Sequence, residues 1–205
     1  MTATGTAAYG ACRDLPPTVI AAVDLARRTG FGTSCRPEQG ELLRILARGV
    51  GPGVIGETGT GCGVGLAWLA SAAHPDARIV SIEREAERAT AVARMLHDDP
   101  RVRVCRGDWS ELLGHGPFDL LVLDGGGQGK RDEPPLDPVA WMRPGGLIVI
   151  DDFTPSTQWP PMCGDQVDTA RLYWLEHPAV RATQIPLAPD AATIVAAVVG
   201  ITPLD

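Results

Sequence analysis

Short apolar runs alternate along the chain with longer segments of helical character. The runs are rich in β-branched residues and lie at 53–57, 77–83, 101–105, 118–124 and 145–151. The helical segments between them lie at 63–73, 84–97, 109–113 and 135–142. The runs are apolar throughout, which is typical of strands that helices cover on both faces. The alternation therefore predicts βαβ units around a parallel sheet, an α/β fold.

Further elements flank these units on both sides. Ahead of the first strand, the amphipathic segments 16–28 and 37–49 each open with proline and are followed by glycine, which predicts two helices. After the fifth strand, a proline-rich stretch precedes a predicted helix at 166–176. Two β-branched runs, 180–187 and 192–199, lie close enough in sequence to form an antiparallel hairpin.

The stretch VIGETGTGCGVG, residues 54–65, carries the clearest chemical signal. A strand that ends in a glycine turn and opens into a helix brings backbone N–H groups to the sheet edge where α/β folds bind nucleotides. The glycines do not match the GxGxxG fingerprint, and Glu57 would point a carboxylate at a dinucleotide's pyrophosphate. A ligand with a positive centre, a ribose and no phosphate fits better, and S-adenosylmethionine has these features.

Two more acidic residues follow the next two strands. Glu83 ends the second strand, where a carboxylate accepts hydrogen bonds from both ribose hydroxyls. Asp108 follows the third strand and is placed to bind the adenine amino group, with Trp109 as an apolar wall. Two alternatives remain open: Glu83 is a solvated residue at the start of a charged helix, or Asp108 only caps the short helix that begins at Trp109.

Composition limits the classes of protein that remain. The chain has 205 residues, 44% of them hydrophobic, and a net charge of -7, which favours one globular domain and disfavours bulk nucleic-acid binding. Its five cysteines are scattered without a CxxC pair, so neither a disulfide framework nor a zinc knuckle is indicated. The first twelve residues lack the pattern of a signal peptide, and no apolar run approaches the ~18 residues of a membrane span. We expect a cytoplasmic protein without a membrane segment.

These motifs resemble those of the class I methyltransferases, and within them the small O-methyltransferases of the catechol and caffeoyl-CoA type. The resemblance covers about residues 16–155 and includes SCRPEQGELLRIL, ETGTGCGVG, SIERE, RGDWSELL, FDLLVLD and RPGGLIVIDD. It implies a Rossmann-like, seven-stranded, mostly parallel sheet of order 3-2-1-4-5-7-6, with helices on both faces, two extra N-terminal helices and an antiparallel last strand. The predicted C-terminal hairpin agrees with that topology.

The resemblance also implies a division of the single domain, residues 1–205, and a set of cofactor-binding residues. We expect a flexible start (1–15), an N-terminal helical cap (16–50), a cofactor-binding core (51–152), and a lid segment, helix and hairpin (153–205). The glycine loop would lie beside the methionine part of the cofactor and Ser34 near its amino-acid end. The full set comprises Ser34, Glu57, Gly59, Thr60, Gly61, Gly63, Glu83, Arg84, Gly107, Asp108, Trp109 and Asp124.

Metal-dependent members of that family hold a divalent ion with an aspartate after strand four and an Asp-Asn pair after strand five. The corresponding residues are Asp124, Asp151 and Asp152, hard oxygen ligands that suit Mg²⁺. Asp152 stands where the family has an amide. The alternative is that Asp124 orients substrate or cofactor and that the other two aspartates cap a turn.

The family's lysine, three residues after the strand-four aspartate, is replaced by Gly127. Lys130 lies three residues farther on and is the candidate to act in its place, together with Asp124, as a catalytic residue. The alternative is that Lys130 and Arg131 form a solvated loop.

The leading hypothesis is an S-adenosylmethionine-dependent methyltransferase that acts on a hydroxyl of a small molecule, with Mg²⁺ as a provisional second cofactor. The alternatives are a protein that binds S-adenosylmethionine or S-adenosylhomocysteine without catalysis, and a metal-independent enzyme for another acceptor atom. A nicotinamide-dependent oxidoreductase is disfavoured by the broken fingerprint. Many family members pair as homodimers, and we expect the same here. Trp159, in the proline-rich segment, is the candidate to contact the acceptor.

Overall fold

The computed structural model describes residues 5–131 and 133–199. Its main feature is a seven-stranded sheet of order β3-β2-β1-β4-β5-β9-β8, and a separate two-stranded hairpin joins β6 to β7. The first five strands are parallel, and β9 runs antiparallel to both of its neighbours. The strands are β1 Val54–Thr58, β2 Arg78–Glu83, β3 Val102–Arg106, β4 Phe118–Leu123, β5 Met142–Phe153, β6 Met162–Cys163, β7 Gln166–Val167, β8 Val180–Ala188 and β9 Ala191–Val198.

Helices cover both faces of the sheet. They are α1 Gly5–Ala8, α2 Pro17–Arg28, α3 Pro37–Val50, α4 Val64–Ala72, α5 Ala86–Met95, α6 Pro138–Trp141 and α7 Thr169–Glu176, with 3-10 helices at Tyr9–Ala11 and Trp109–His115. Proline at the first position starts both α2 and α3, where its missing N–H costs no hydrogen bond. The predicted N-terminal helices are therefore confirmed.

Each face of the sheet has its own apolar core. Residues of α2 to α5 pack on one face, and residues of the 3-10 helix after β3, of α6 and of α7 pack on the other. Consecutive strand residues point into opposite cores, as Leu120 and Leu121 do on β4. This arrangement explains why the strands are apolar at every position.

The sheet confirms the predicted α/β class and topology. Counted within the large sheet alone, the strand order is 3-2-1-4-5-7-6 with the antiparallel hairpin at the end, because β6 and β7 lie outside it. The helix predicted at 135–142 is shorter than expected, because β5 already begins at Met142 and leaves only α6. The helix predicted at 166–176 begins at Thr169, because Gln166–Val167 pairs with Met162–Cys163.

The N-terminal segment contacts the core through one aromatic side chain. Tyr9 is buried, its hydroxyl donates to the carbonyl oxygen of Cys35 at 2.9 Å, and it accepts from the indole N–H of Trp68 at 2.9 Å. Residues 1–4 of the predicted flexible start lie outside the described residues, and the division of the chain into segments stays a prediction. Among the described residues, no helix is both long and apolar enough to cross a membrane.

Candidate functional site

A cavity of about 460 Å³ opens at the carboxyl ends of the parallel strands. Its walls are the loops that follow β1, β2, β3 and β4, together with the loop between α2 and α3. This size and this place in the fold are typical of a nucleotide or cofactor site.

Ten of the twelve predicted cofactor-binding residues line this cavity, and Glu57 and Gly63 are not among its lining residues. The ten are Ser34, Gly59, Thr60, Gly61, Glu83, Arg84, Gly107, Asp108, Trp109 and Asp124.

The glycine loop after β1 contacts the loop after β4 backbone to backbone. A Cβ atom on Gly59 would lie 2.4 Å from the Cα of Gly125, and Gly59 has a φ of +83°. Thr58 joins the same two loops, because its hydroxyl donates to the carbonyl oxygen of Gly126 at 2.9 Å. Glycine at position 59 therefore allows the two loops to approach each other this closely.

Glu57 lies beneath the glycine loop and is not among the residues that line the cavity, and its contact with the cofactor stays a prediction. Its side chain is buried and accepts a hydrogen bond from the Ser81 hydroxyl at 2.5 Å, and Ser81 is also 2.6 Å from the Thr60 hydroxyl. A Cβ on Gly65 would lie 2.6 Å from Glu57 Oε1. Burial raises the pKa of Glu57 to about 8, against the opposing effect of the Ser81 hydrogen bond. Glu57 supports the loop from below through Ser81 and Thr60.

Glu83 forms part of the cavity wall, and its side chain is buried. Its Oε2 accepts the N–H of Gly61 at 2.8 Å, which joins the end of β2 to the glycine loop. Its Oε1 accepts the N–H of Glu85 at 2.8 Å and Nη2 of Arg88 at 2.9 Å. The alternative of a solvated residue is wrong for Glu83, because only 6% of it is exposed.

Asp108 both lines the cavity and caps the following helix. Its Oδ1 accepts the N–H and the hydroxyl of Ser110, and the Ser110 hydroxyl contact lowers the pKa of Asp108 most. The capping alternative is therefore observed, and contact with adenine stays a prediction. Trp109 packs against the glycine run after β4, since a Cβ on Gly126 would lie 2.3 Å from its ring, and it stacks on Trp141 at 5.7 Å.

Three carboxylates meet where β4 and β5 end. Asp124, Asp151 and Asp152 each offer an oxygen atom, and these atoms lie within 4.8 Å of one another. All three side chains are half-buried. Burial, and then the negative charges of the two neighbours, raises the pKa of Asp124 well above its usual range. Burial and the charge of Asp152 raise the pKa of Asp151 to about 6.

This donor set fits a divalent cation. Carboxylate oxygens are the ligands that Mg²⁺ and Mn²⁺ prefer, and a cation relieves the mutual repulsion that raises these pKa values. Asp151 Oδ1 also accepts the N–H of Asp152 at 2.7 Å, so part of the capping alternative is observed as well.

Lys130 contacts the main chain of this turn. Its Nζ donates to the carbonyl oxygens of Asp151 and Asp152, the second at 2.7 Å, and lies 3.9 Å from the centre of the Phe153 ring. Burial lowers the pKa of Lys130, and the nearby aspartates oppose this effect. The solvated-loop alternative is wrong for Lys130, and its catalytic role stays a prediction.

Three supporting residues were missed in the sequence. Arg88 binds Glu83 and lies over the Phe31 ring at 5.5 Å, and both residues line the cavity. Gln128 is buried, and its Nε2 donates to the carbonyl oxygens of Leu123 and Asp151 at 2.8 and 3.1 Å. Arg88 could have been found from its position one turn along the helix that follows Glu83, whereas no sequence signal marks Phe31 or Gln128.

The strand order of the sheet and the glycine loop after β1 are those of the Rossmann-like fold of class I methyltransferases. Residues 57–153 match the family model described as a methyltransferase domain. The predicted resemblance to small O-methyltransferases is confirmed, because the relatives that match this chain include proteins named O-methyltransferase and catechol O-methyltransferase.

A putative O-methyltransferase of Mycobacteroides abscessus is 31% identical over 141 residues, 64% of each chain. A catechol O-methyltransferase of Niastella koreensis is 30% identical over 150 residues, 65% of each chain. The matches thus span less than two thirds of the length of these relatives.

Solved structures share the fold across nearly the whole chain. The O-methyltransferase TomG of Streptomyces achromogenes, in complex with S-adenosylmethionine, has a TM-score of 0.72 at 23% identity and covers 96% of both chains. An O-methyltransferase of Bacillus cereus in complex with S-adenosylhomocysteine has a TM-score of 0.71 at 20% identity, over 96% of this chain and 98% of that one.

Proposed function

We propose that this protein is an S-adenosylmethionine-dependent O-methyltransferase that acts on a hydroxyl group of a small molecule. The observation that carries the proposal is the position of Asp124, which lines the cofactor cavity and also belongs to the three-carboxylate cluster. A methyl donor in the cavity and an acceptor at the carboxylates therefore meet at one residue. The descriptions of the relatives support oxygen as the acceptor atom.

Residues around the cavity bind and orient the cofactor in this proposal. S-adenosylmethionine, when bound, supplies a methyl group on a positively charged sulfur atom to the acceptor oxygen. Glu83 accepts hydrogen bonds from the ribose, and Arg88 and the Gly61 N–H hold that carboxylate in place. Trp109 covers the adenine, and Ser34 lies near the amino-acid end. The loop contact between Gly59 and Gly125 keeps the cofactor loop beside Asp124.

Asp124, Asp151 and Asp152 bind a divalent cation, for which Mg²⁺ is the leading candidate. Held by these three side chains, a divalent cation would supply the Lewis acidity that lowers the pKa of an acceptor hydroxyl. The three carboxylates orient the acceptor through their position at the ends of β4 and β5, beside the cavity. Because in-line methyl transfer depends mainly on geometry, this positioning supplies most of the rate enhancement.

Calorimetry with S-adenosylhomocysteine tests the cofactor site. We expect Glu83→Gln to weaken binding by about tenfold or more, because a charge-assisted acceptor for the ribose is lost. Glu87→Gln is the matched control, because Glu87 is an exposed glutamate on α5, the helix that follows Glu83. If the wild-type protein does not bind S-adenosylhomocysteine, the proposal is wrong.

Turnover assays separate the proposal from its alternatives. We expect S-adenosylhomocysteine to form from S-adenosylmethionine with a catechol among a panel of small hydroxyl acceptors, to stop in a chelator and to resume with Mg²⁺. Transfer that survives the chelator favours a metal-independent enzyme. Cofactor binding without turnover on the whole panel favours a binding protein without catalysis.

Cytoplasmic location, homodimer formation and the lack of bulk nucleic-acid binding complete the proposal. The net charge of -7 supports the last of these. Light scattering of the purified protein measures the oligomeric state directly, and a monomer would contradict that part.

A further inference from the structure

A second, narrow cleft adjoins the three carboxylates. It shares Asp124 and Asp152 with the cofactor cavity, and its volume is about 10 Å³. The loop before α3, the first turn of α3 and the adjoining ends of β8 and β9 form its other walls, through residues that include Arg36, Gln39 and Ala191.

Gln39 lines this cleft, and its carboxamide has no hydrogen-bond partner in the part of the chain that the structure describes. Only 2% of the residue is exposed, and neither Nε2 nor Oε1 of its carboxamide has a partner within residues 5–131 and 133–199. A buried polar group without a partner costs about 1–3 kcal/mol, so nearly all such groups in folded proteins are satisfied by protein, water or ligand. We therefore expect a polar group in the cleft to form hydrogen bonds with the carboxamide of Gln39.

The packing of α3 keeps Gln39 in this position. The next residue, Gly40, lies against the Trp68 indole so closely that a Cβ would be 2.1 Å from Nε1. Arg36, just before the helix, is bound to Asp190 at 3.2 Å and lies 3.5 Å from a carboxylate oxygen of Glu38. These contacts hold the start of α3 on both sides of Gln39, whose side chain is buried against the cleft.

The size and chemistry of the cleft select its occupant. A site needs about 10–15 Å³ and two to four polar partners to hold one water molecule, and the cleft offers that volume, the carboxamide and the carboxylates. A carboxylate group or an aromatic ring of a methyl acceptor is much larger than this cleft. The carboxamide of Gln39 lines the same cleft as Asp124, Asp151 and Asp152, and because it is neutral it adds no fourth negative charge there.

We propose that Gln39 is a positioning residue of the cation site, and that one water molecule joins its carboxamide to the ion bound by Asp124, Asp151 and Asp152. The inference rests on the proposed function, because it requires that the three carboxylates bind a divalent cation. Hydrogen-bonding groups around metal ligands set affinity by orienting the ligands and the waters of the ion.

Calorimetric titration of the full chain with Mn²⁺, without cofactor or acceptor, tests the inference. We expect Gln39→Leu and Gln39→Met to weaken Mn²⁺ binding by about tenfold or more. Without Mn²⁺, both variants should melt at the wild-type temperature or above it, because apolar groups replace a buried amide that lacks a partner. Gln166→Leu is the matched control at an exposed glutamine, and its Mn²⁺ affinity should equal that of the wild type.

Two outcomes overturn the inference. A change clearly smaller than about tenfold in both Gln39 variants makes the glutamine a structural residue alone. Absence of Mn²⁺ binding by the wild type removes the inference together with the cation part of the proposed function, whereas S-adenosylhomocysteine binding judges the cofactor part separately. If Gln39→Leu fails to fold, Gln39→Met decides, since it keeps the length of the side chain.

Discussion

The ammonium group of Lys130 holds a turn in which one residue has an unusual backbone conformation. Asp152 has a φ of +67°, a region that few residues other than glycine adopt and that costs of order 1 kcal/mol or more. Lys130 donates to the carbonyl oxygens of Asp151 and Asp152, and its ammonium group packs on the ring of Phe153. A second cation, Arg171, lies over the same ring at 5.0 Å. These contacts indicate that Lys130 positions the two aspartates.

We expect Lys130→Met to weaken Mn²⁺ binding and to lower kcat by about tenfold, because the turn that presents Asp151 and Asp152 loses its support. The pH profile of the remaining activity should keep its shape. Loss of one limb of that profile would instead assign proton transfer to Lys130. Arg28→Met, at an exposed arginine on α2, is the control and should change neither quantity.

The raised pKa of Glu57 predicts a pH-dependent stability. In the unfolded chain the carboxyl group releases its proton near 4.5, whereas in the folded protein it keeps the proton up to about 8. The folded state therefore binds more protons within this window, and the free energy of unfolding falls as pH rises, by at most about 1.4 kcal/mol per pH unit.

Urea unfolding of the cofactor-free protein at pH 5, 6, 7 and 8 measures this effect. We expect the stability of Glu57→Gln to rise relative to the wild type across the series, because glutamine does not titrate. A difference between the two proteins that is constant with pH would show that Glu57 is charged in the folded state.

At the scale of elements, α3 packs on α4 through one glycine. A methyl group on Gly40 would overlap the buried indole of Trp68, whereas a methyl group on Gly49 of the same helix meets nothing within 4 Å. We expect Gly40→Ala to destabilise the protein by about 1–3 kcal/mol and Gly49→Ala to stabilise it by up to about 1 kcal/mol. Thermal unfolding of both variants checks the pair. Equal effects would mean that α3 shifts away from Trp68.

The elements of the fold could be predicted from the sequence because their signals are local. Apolar runs marked the strands, and proline marked the starts of α2 and α3. The errors lie where pairing between distant residues decides, as at Met142, which begins β5 because it pairs with Phe118 of β4.

The candidate site followed the same rule. The positions of Glu83 and Asp124 at the cavity could be predicted, because the end of a parallel strand fixes where a residue lies. The direction of the Glu57 side chain could not, because it depends on Ser81 of a neighbouring strand. The role of Gln39 depends on how α3 meets the hairpin turn, a contact between segments about 150 residues apart that no local pattern encodes.

For the whole molecule, cofactor binding should appear as added stability. A ligand at 100 times its Kd stabilises the folded state by about 2.7 kcal/mol. For a chain of this length each kcal/mol corresponds to a Tm change of about 2–4 °C, so S-adenosylhomocysteine should raise Tm by about 5–11 °C. Calorimetric scans measure this shift. The same concentration should raise the Tm of Glu83→Gln by clearly less, and an equal rise would contradict the role of Glu83.

Asp124 forms part of the wall of both the cofactor cavity and the cleft at the carboxylates. If the proposed cofactor and the proposed cation both bind, each changes the electrostatic surroundings of the other at Asp124. Thermodynamic reciprocity then requires that an ion multiply the affinity for the nucleoside by some factor and that the nucleoside multiply the affinity for the ion by the same factor. The order in which the two arrive has no influence on the final occupancy.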